Sequence, residues 1–463
     1  MSTHSSDFIQ WFRSAAPYIH SHRGKTFVLH CGGELIAHPV FPGLVHDIAL
    51  LNSLGIRVAL VFGARPQIEK ELEVRGIRPH LVSGLRVTDF NTLEIVKSVV
   101  GSLRIQIESL FSMGLPNSPM SEASIKIASG NFVVARPVGV IDGIDLEFTG
   151  MVRRIYSDLI RARLHNQELV LIHPVGYSPT GEAFNLGSVE LAKQVALELR
   201  ADKLLFLMCG IGLQDNSGQA VQHLTQGQAE QLLQNKELTD GSPWLQLKAG
   251  LEASKLQIER IHFDGSPWLQ LQAGLEASKQ QIERVHFIDQ SQDGGLMQEL
   301  FSRDGIGTML TAAPYDELRK ASIDDIGGIL ELIQPLEESG KLVRRSREKM
   351  ETEINDYFVI IRDNAVIACA AVHIYEDETC AELACLVVDE HYQKLNKGSD
   401  LLQAVESYAR EHQVKRLFAL TTQALHWFIE QGFTEAAIDD LPVQKKQLYN
   451  YQRNSKVFTK NIS

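Results

Sequence analysis

Short apolar runs alternate with amphipathic stretches along the first two-thirds of the chain. Thr26–His30 and Arg57–Phe62 read as buried strands, and Leu169–His173 and Lys203–Leu207 repeat the pattern, with helical spacing over 42–54 and 189–199 between them. Unbroken apolar strands separated by helical segments are what a mainly parallel sheet, covered on both faces, requires. The region is therefore expected to be α/β. The first two strands end in glycine turns, Cys31-Gly32-Gly33 and Gly63-Ala64-Arg65-Pro66. Ligands of such sheets bind beyond these strand ends, although a tight strand-to-helix connection needs glycine for packing as well. After Thr311-Ala312-Ala313-Pro314 the pattern changes. Leu318–Ile326 reads as a strand followed by a helix start, with Ser322 as N-cap and Asp325 three positions on as its capping-box partner. Residues 356–362 and 366–375 read as a hairpin, and Cys380–Val388 as a long strand running into a helix from about Ser399 to His412. The domains expected are 1–308, a linker at 309–318, and an α+β domain at 319–463.

A tandem repeat lies inside the first domain, over 240–287: Asp240–Phe263 is followed at once by Asp264–Phe287, and the copies differ only at Lys248/Gln272, Leu256/Gln280 and Ile261/Val285. Each copy carries a Ser-Pro start, apolar residues at helical spacing and a short Arg-Ile/Val-His-Phe run, so one copy is a complete helix-plus-strand unit. Two copies are too few for a solenoid, which points to a local duplication. Which copy occupies the sheet is left open by the sequence.

Charge and cysteine content narrow the function classes. With 45 Lys+Arg against 57 Asp+Glu the net charge is −12, which disfavours a nucleic-acid partner. No apolar run approaches the roughly 18–20 residues of a membrane span, and the N-terminus lacks the pattern of a secretory signal. A cytoplasmic protein is expected, with its five cysteines free and buried. No cysteine or histidine cluster has metal-ligand spacing, so no metal is expected. Against the overall charge, the tail after Asp440 holds no acid and five bases, Lys445, Lys446, Arg453, Lys456 and Lys460. Such a reversal suits an anionic ligand.

The richest chemistry lies where the 380–388 strand gives way to a helix, through Gln393-Lys394-Leu395-Asn396-Lys397-Gly398-Ser399. Free amides at a helix start beside two lysines suit a pyrophosphate. This segment resembles the acyl-CoA motif of the GNAT acetyltransferases, Q/R-x-x-G-x-G/A, with Asn396 in place of the first glycine. Asparagine is the next-best residue for a left-handed backbone. The family's closing pattern is present as Trp427-Phe428-Ile429-Glu430-Gln431-Gly432-Phe433.

The first domain resembles the amino-acid kinase fold of the acetylglutamate kinases, a three-layer domain with a mainly parallel sheet. The resemblance rests on Gly32-Gly33, Gly63–Ile68, Gly84–Asp89 and Asn185. The residues that serve phosphoryl transfer are replaced. His30 stands at the phosphate-binding lysine, Val189 at a carboxylate, and Met208-Cys209 at Thr-Asp. Without cations and oriented carboxylates no kinase activity is expected. A kinase-like domain of this kind joined to a GNAT domain resembles the family of bacterial N-acetylglutamate synthases, supported by the long runs 299–308, 343–348 and 446–453.

That resemblance implies transfer of acetyl from acetyl-CoA, as a co-substrate with no permanently bound cofactor, to the amine of L-glutamate. It implies feedback inhibition by L-arginine and assembly into a homo-oligomer, a hexamer in relatives. The alternative is an inactive arginine-binding sensor. It assigns glutamate to Arg344, Arg453, Ser455 and Cys385, and acetyl-CoA to Leu386, Val387, Val388, Gln393, Lys394, Leu395, Asn396, Lys397, Gly398 and Ser399. Arginine goes to Tyr18, His286, Glu299 and Gly305, with His262 competing for the place of His286; direct sequence connection to Glu299 favours His286. Glu382 is the expected base, acting through water. Forked guanidiniums suit carboxylates, so Arg453→Ala is expected to raise KM for glutamate far more than KM for acetyl-CoA. Steady-state kinetics with each substrate varied decides this, and equal effects would refute the assignment.

Overall fold

Valine, leucine and phenylalanine dominate the strands Thr26–Cys31, Arg57–Phe62 and Lys203–Met208, and all but the leading residue or two of each are fully buried. Such strands need cover on both faces, and helices supply it. The computed structural model describes residues 2–113, 125–209, 221–235, 267–291, 293–393, 395–422, 424–447 and 455–462. Two compact units result, Met1–Pro314 and Tyr315–Ser463.

The first unit is built on an eight-stranded sheet. At its centre Thr26–Cys31 pairs in parallel with Arg57–Phe62 on one side and Lys203–Met208 on the other. Leu169–Ile172 and Ile127–Ser129 extend it in parallel beyond Arg57–Phe62. On the other flank come Arg284–Asp289, the antiparallel Thr308–Thr311 and His223–Thr225. One apolar cluster lies on each face, so the expected three-layer, mainly parallel architecture is present. Helix Phe41–Ser53 and helix Ser188–Leu199 fall where helical spacing placed them.

The second copy of the repeat supplies the sheet. Its helix Pro267–Lys279 precedes the strand Arg284–Asp289, which lies between Lys203–Met208 and Thr308–Thr311. The first copy, with His262, lies outside the described residues. Lys193, buried in helix Ser188–Leu199, bridges to Glu276 on the repeat helix and to Glu190 on its own.

Thr308–Thr311 is a strand of the first sheet and Glu317–Lys320 the edge strand of the second. Pairing at both ends therefore draws residues of the expected 309–318 linker into the sheets. Cysteine placement departs from expectation at one position: Cys209 is exposed, because it follows the end of its strand, whereas the other four are buried. All five are free thiols.

The second unit is a seven-stranded sheet in the order Glu317–Lys320, Tyr357–Arg362, Ala365–Tyr375, Cys380–Val388, Arg416–Thr421, Lys456–Asn461, Thr434–Ala436. Only the pair Cys380–Val388 and Arg416–Thr421 is parallel. Helix Lys397–Glu411 packs on one face and helix Ile326–Glu338 on the other. Ser322 and Asp325 form the expected capping box. Among the described residues no helix is long and apolar enough to cross a membrane.

Helix-to-strand packing within the repeat unit is close at Gly274, where an added Cβ would lie 2.7 Å from the Phe287 ring and 3.0 Å from Val285 Cγ1. Overpacking costs about 1–3 kcal/mol, against the roughly 1 kcal/mol that alanine gains over glycine inside a helix. Gly274→Ala is therefore expected to lower the thermal midpoint by a few degrees. A midpoint unchanged or raised in calorimetry would show that this contact is slack.

Candidate active site

The parallel pairing of Cys380–Val388 with Arg416–Thr421 stops at Leu383 and Ala419, although both strands run on. On its other edge the same strand carries a bulge. Register with Ala365–Tyr375 shifts between Ala371, opposite Ala384, and Cys369, opposite Val387. Cys385 absorbs the extra residue with a left-handed backbone, φ 49°, and the Cys369 thiol donates to its carbonyl at 3.6 Å. A non-glycine residue held there costs about 1–3 kcal/mol, and such bulges re-aim strands next to functional sites.

A cavity of about 600 Å³ opens at this point. Leu383 to Val388 form one wall, Leu420 to Thr422 with Phe428 another, and Lys341 to Val343 with Arg345 a third. Its size is that of a typical small-molecule site. Glu382 lies in it, 5% exposed, in register with His373 on one side and Phe418 on the other. The Lys445 ammonium donates to its Oε2 at 2.7 Å. Tyr375 faces the same carboxylate, and burial, then the Glu382 charge, push its hydroxyl well above the usual tyrosine range. Ser455, buried, and Cys385 also line the cavity. Arg344 is exposed and does not line it; its neighbours Val343 and Arg345 do. Arg453 lies outside the described residues.

The proposed acyl-CoA loop has the backbone that its sequence demands. Asn396 caps helix Lys397–Glu411 in the left-handed region, φ 55°, ψ 14°, and its carbonyl accepts from the amides of Ser399 and Asp400. The first amides of the helix have no carbonyl within it to bond, which makes this end an anion acceptor. Gly398 sits against the Trp427 indole, 3.2 Å from where a Cβ would lie. The closing motif and the loop thus touch through a position that only glycine fills without displacement. The Gln393 side-chain amide donates to the Val388 carbonyl at 3.4 Å, and Leu395 is exposed.

Lys397 is engaged elsewhere than the sequence suggests. Its ammonium pairs with Asp316 at 2.7 Å, and the same carboxylate takes a two-pronged bond from buried Arg362 at 2.6 and 2.9 Å. Burial alone would raise the Asp316 pKa, but the bonds from Arg362 and Lys397 outweigh it and hold the group below its ordinary value. The cation therefore anchors the helix start to the sheet. Lys394 lies outside the described residues.

In the first unit, His286, Glu299 and Gly305 converge. Glu299 Oε1 accepts from His286 Nδ1 at 2.6 Å, and Oε2 accepts from the amides of Ile306 and Gly307, both at 2.7 Å. Lys203 approaches His286 Nε2 at 3.2 Å. An ammonium only donates, so the ring is the neutral tautomer that donates through Nδ1. Gly305, φ 62°, has its Cβ position filled by the Glu299 carboxylate. Tyr18 lies on helix Ser2–His22, whose His22 bonds the Leu300 carbonyl at 2.9 Å, beside Glu299. At the kinase-like turns, His30 Nε2 meets Ser188 Oγ at 2.9 Å, and Val189 is buried. His30 thus spends this nitrogen on an internal hydrogen bond.

Lys445, Tyr375, His373 and Arg345 were not singled out by sequence. Lys445 was visible only as one base of the tail, and nothing in a linear sequence places it over Glu382.

The geometry is that of an acyltransferase: a split strand pair, a bulge, a buried carboxylate and a helix start beside the cavity, preceded in the chain by a mainly parallel α/β unit. Residues 25–244 match the amino acid kinase family and 328–433 the acetyltransferase (GNAT) family. The chain is 45% identical to the amino-acid acetyltransferase of Proteus mirabilis and 44% to that of Shewanella oneidensis, over 99% of this chain and 98% of each relative. It is similar to the crystal structure of N-acetylglutamate synthase from Neisseria gonorrhoeae complexed with coenzyme A and L-arginine, at TM-score 0.79 and 32% identity, over 98% of this chain and 99% of that one. The same enzyme complexed with coenzyme A and N-acetyl-glutamate matches over the same shares at TM-score 0.58 and 33% identity. The chain belongs to the amino-acid acetyltransferase family.

Burial, and next the Lys203 charge, hold His286 at a pKa of about 4. Burial likewise holds His22 and His173 at about 4. For Glu299 burial would raise the pKa, but His286 and the two amides outweigh it and hold the group at about 2. A histidine depressed below its unfolded value near 6.5 stabilises fully above that pH and progressively less as pH falls toward the folded value. From pH 7.5 to 5.5 each histidine is expected to cost about 1 kcal/mol of stability; Glu299 loses its contribution only below about 4.5. The thermal midpoint should fall across that window, with a shallower slope in His286→Gln. A flat profile would contradict the neutral assignment.

Proposed function

We propose that the protein transfers the acetyl group of acetyl-CoA to the amino group of L-glutamate, giving N-acetyl-L-glutamate and CoA, as the opening step of arginine biosynthesis. The observation that carries this reading is Glu382, a buried carboxylate in a cavity opened by the end of strand pairing. The Neisseria relative's complexes with coenzyme A and N-acetyl-glutamate support it.

The pantetheine arm would pair with the strand edge at Leu386, Val387 and Val388, and the amides of Leu386 and Val387 would polarise the thioester oxygen. The pyrophosphate would rest on the loop 393–399 and the helix start. Arg453 and Ser455 would take the glutamate carboxylates, with Cys385 at the bulge beside them; Arg344, which faces away from the cavity, is not given this part. Ser455 and Cys385 already line the cavity, and Arg345 adds a cation next to Arg344. Glu382 would take the ammonium proton through water. The freed lone pair attacks the thioester carbon, the C–S bond breaks and sulfur leaves. Phe428 forms an apolar wall and offers no proton to the leaving sulfur. A thiol with pKa near 8.5 leaves as thiolate with modest help.

Arginine would bind the first unit around Tyr18, His286, Glu299 and Gly305 and inhibit. A carboxylate has about four lone-pair sites, so Glu299, holding three hydrogen bonds, can accept one more from a guanidinium. A homo-oligomer, hexameric by family resemblance, and a cytoplasmic setting complete the reading; five free thiols fit a reducing compartment.

A thiol-release assay tests the reading. Release from acetyl-CoA should require L-glutamate and fall on addition of arginine, and Glu382→Gln should lower kcat by about 10²-fold or more. Arginine binding without turnover would make the protein a sensor instead.

A further inference from the structure

Glu382 is clamped by a cation from the opposite end of the chain's last segment. Helix Val443–Gln447 is moored over the hairpin by two carboxylates: the Val443 amide donates to Glu378 Oε1 at 2.9 Å, and Lys445 Nζ donates to Glu382 Oε2 at 2.7 Å. The Glu382 side chain is 7% exposed and that of Lys445 24%, and both line the cavity.

The other groups facing Glu382 cannot play this part. Tyr375, on the neighbouring strand, holds its proton. His373, in register across the same pair, is bonded to Asp356 at 3.2 Å. Phe418, on the parallel side, is apolar, and Cys380 is a neutral thiol two positions back on Glu382's own strand. Among the described residues, Lys445 is the cation paired with this carboxylate.

We propose that Lys445 is the positioning residue of the reaction: its ammonium, 2.7 Å from Oε2, aims the Glu382 carboxylate at the cavity. The inference rests on Glu382 being the base. A carboxylate taken out of water needs a partner for its charge, and a cation in contact with one oxygen also fixes where the group points. The lysine is committed to Glu382, which leaves the glutamate carboxylates to the arginines.

The test uses the full-length protein with Lys445→Met, Lys445→Gln, Lys445→Arg and Glu382→Gln, each checked for its thermal midpoint and for CoA binding. Lys445→Met is expected to lower kcat at pH 7 by about tenfold or more, with KM for both substrates within about threefold. Lys445→Arg should restore most of kcat. The inference is overturned by an unchanged kcat, by an arginine variant as poor as the methionine one, or by a rise in glutamate KM alone, which would assign Lys445 to the substrate. Should Lys445→Met fail to fold, kcat and the two KM values of the Gln and Arg variants decide in the same terms. Full activity in Glu382→Gln would refute the base assignment itself; loss there with an unaffected Lys445→Met would refute only the role of Lys445.

Discussion

Beyond Leu383 and Ala419 the edges of two strands that were paired in parallel face a cavity instead of each other. Backbone amides and carbonyls left this way must find partners, and a thioester with its amide-bearing arm is a partner of matching chemistry. The bulge at Cys385 fixes where this happens, because an extra residue on one strand cannot continue both ladders at once. The features of the cavity are grouped around that interruption: Glu382 immediately before it, Gln393 to Ser399 beyond the strand end, and Ser455 just ahead of the strand Lys456–Asn461, which pairs with Arg416–Thr421.

Charge in this molecule is organised locally. The net −12 says little about the sites, where cations and carboxylates meet in closed groups. Asp316 ties Arg362 to Lys397, Glu382 is tied to Lys445, and Glu299 is tied to His286 and thence to Lys203. In each group a carboxylate that is buried, or half-buried at Asp316, has its charge met within hydrogen-bond distance, the condition under which burial of an ion is tolerated. One of these groups steadies the helix start, one faces the cavity of the second unit, and one lies at the site proposed for the effector.

The first unit has the fold of the amino acid kinase family. At its turns His30 bonds Ser188 and Val189 is buried. The parallel sheet does not depend on which polar groups these turns carry, because the strands depend on apolar packing and the glycine turns on close approach: Gly63 lies against Ser188 and the Gly33 backbone.

Periodicity, and which side chains a backbone conformation tolerates, suffice for the apolar strands of the first sheet's centre, the hairpin and the Cys380–Val388 strand, the capping box at Ser322, the glycine turns and the left-handed residue Asn396; Arg416–Thr421 and Lys456–Asn461, which flank the site, are not legible that way. The sequence by itself also showed that one repeat copy is a complete helix-strand unit. Only the tertiary structure decided that the second copy holds the sheet position, that Lys397 serves Asp316, that Arg345 and not Arg344 lines the cavity, and that Lys445 meets Glu382. The reason is physical. Local conformation is fixed by neighbours along the chain, whereas ion pairs and cavity walls join residues dozens of positions apart, 63 in the case of Glu382 and Lys445, whose meeting is set by the packing of whole elements.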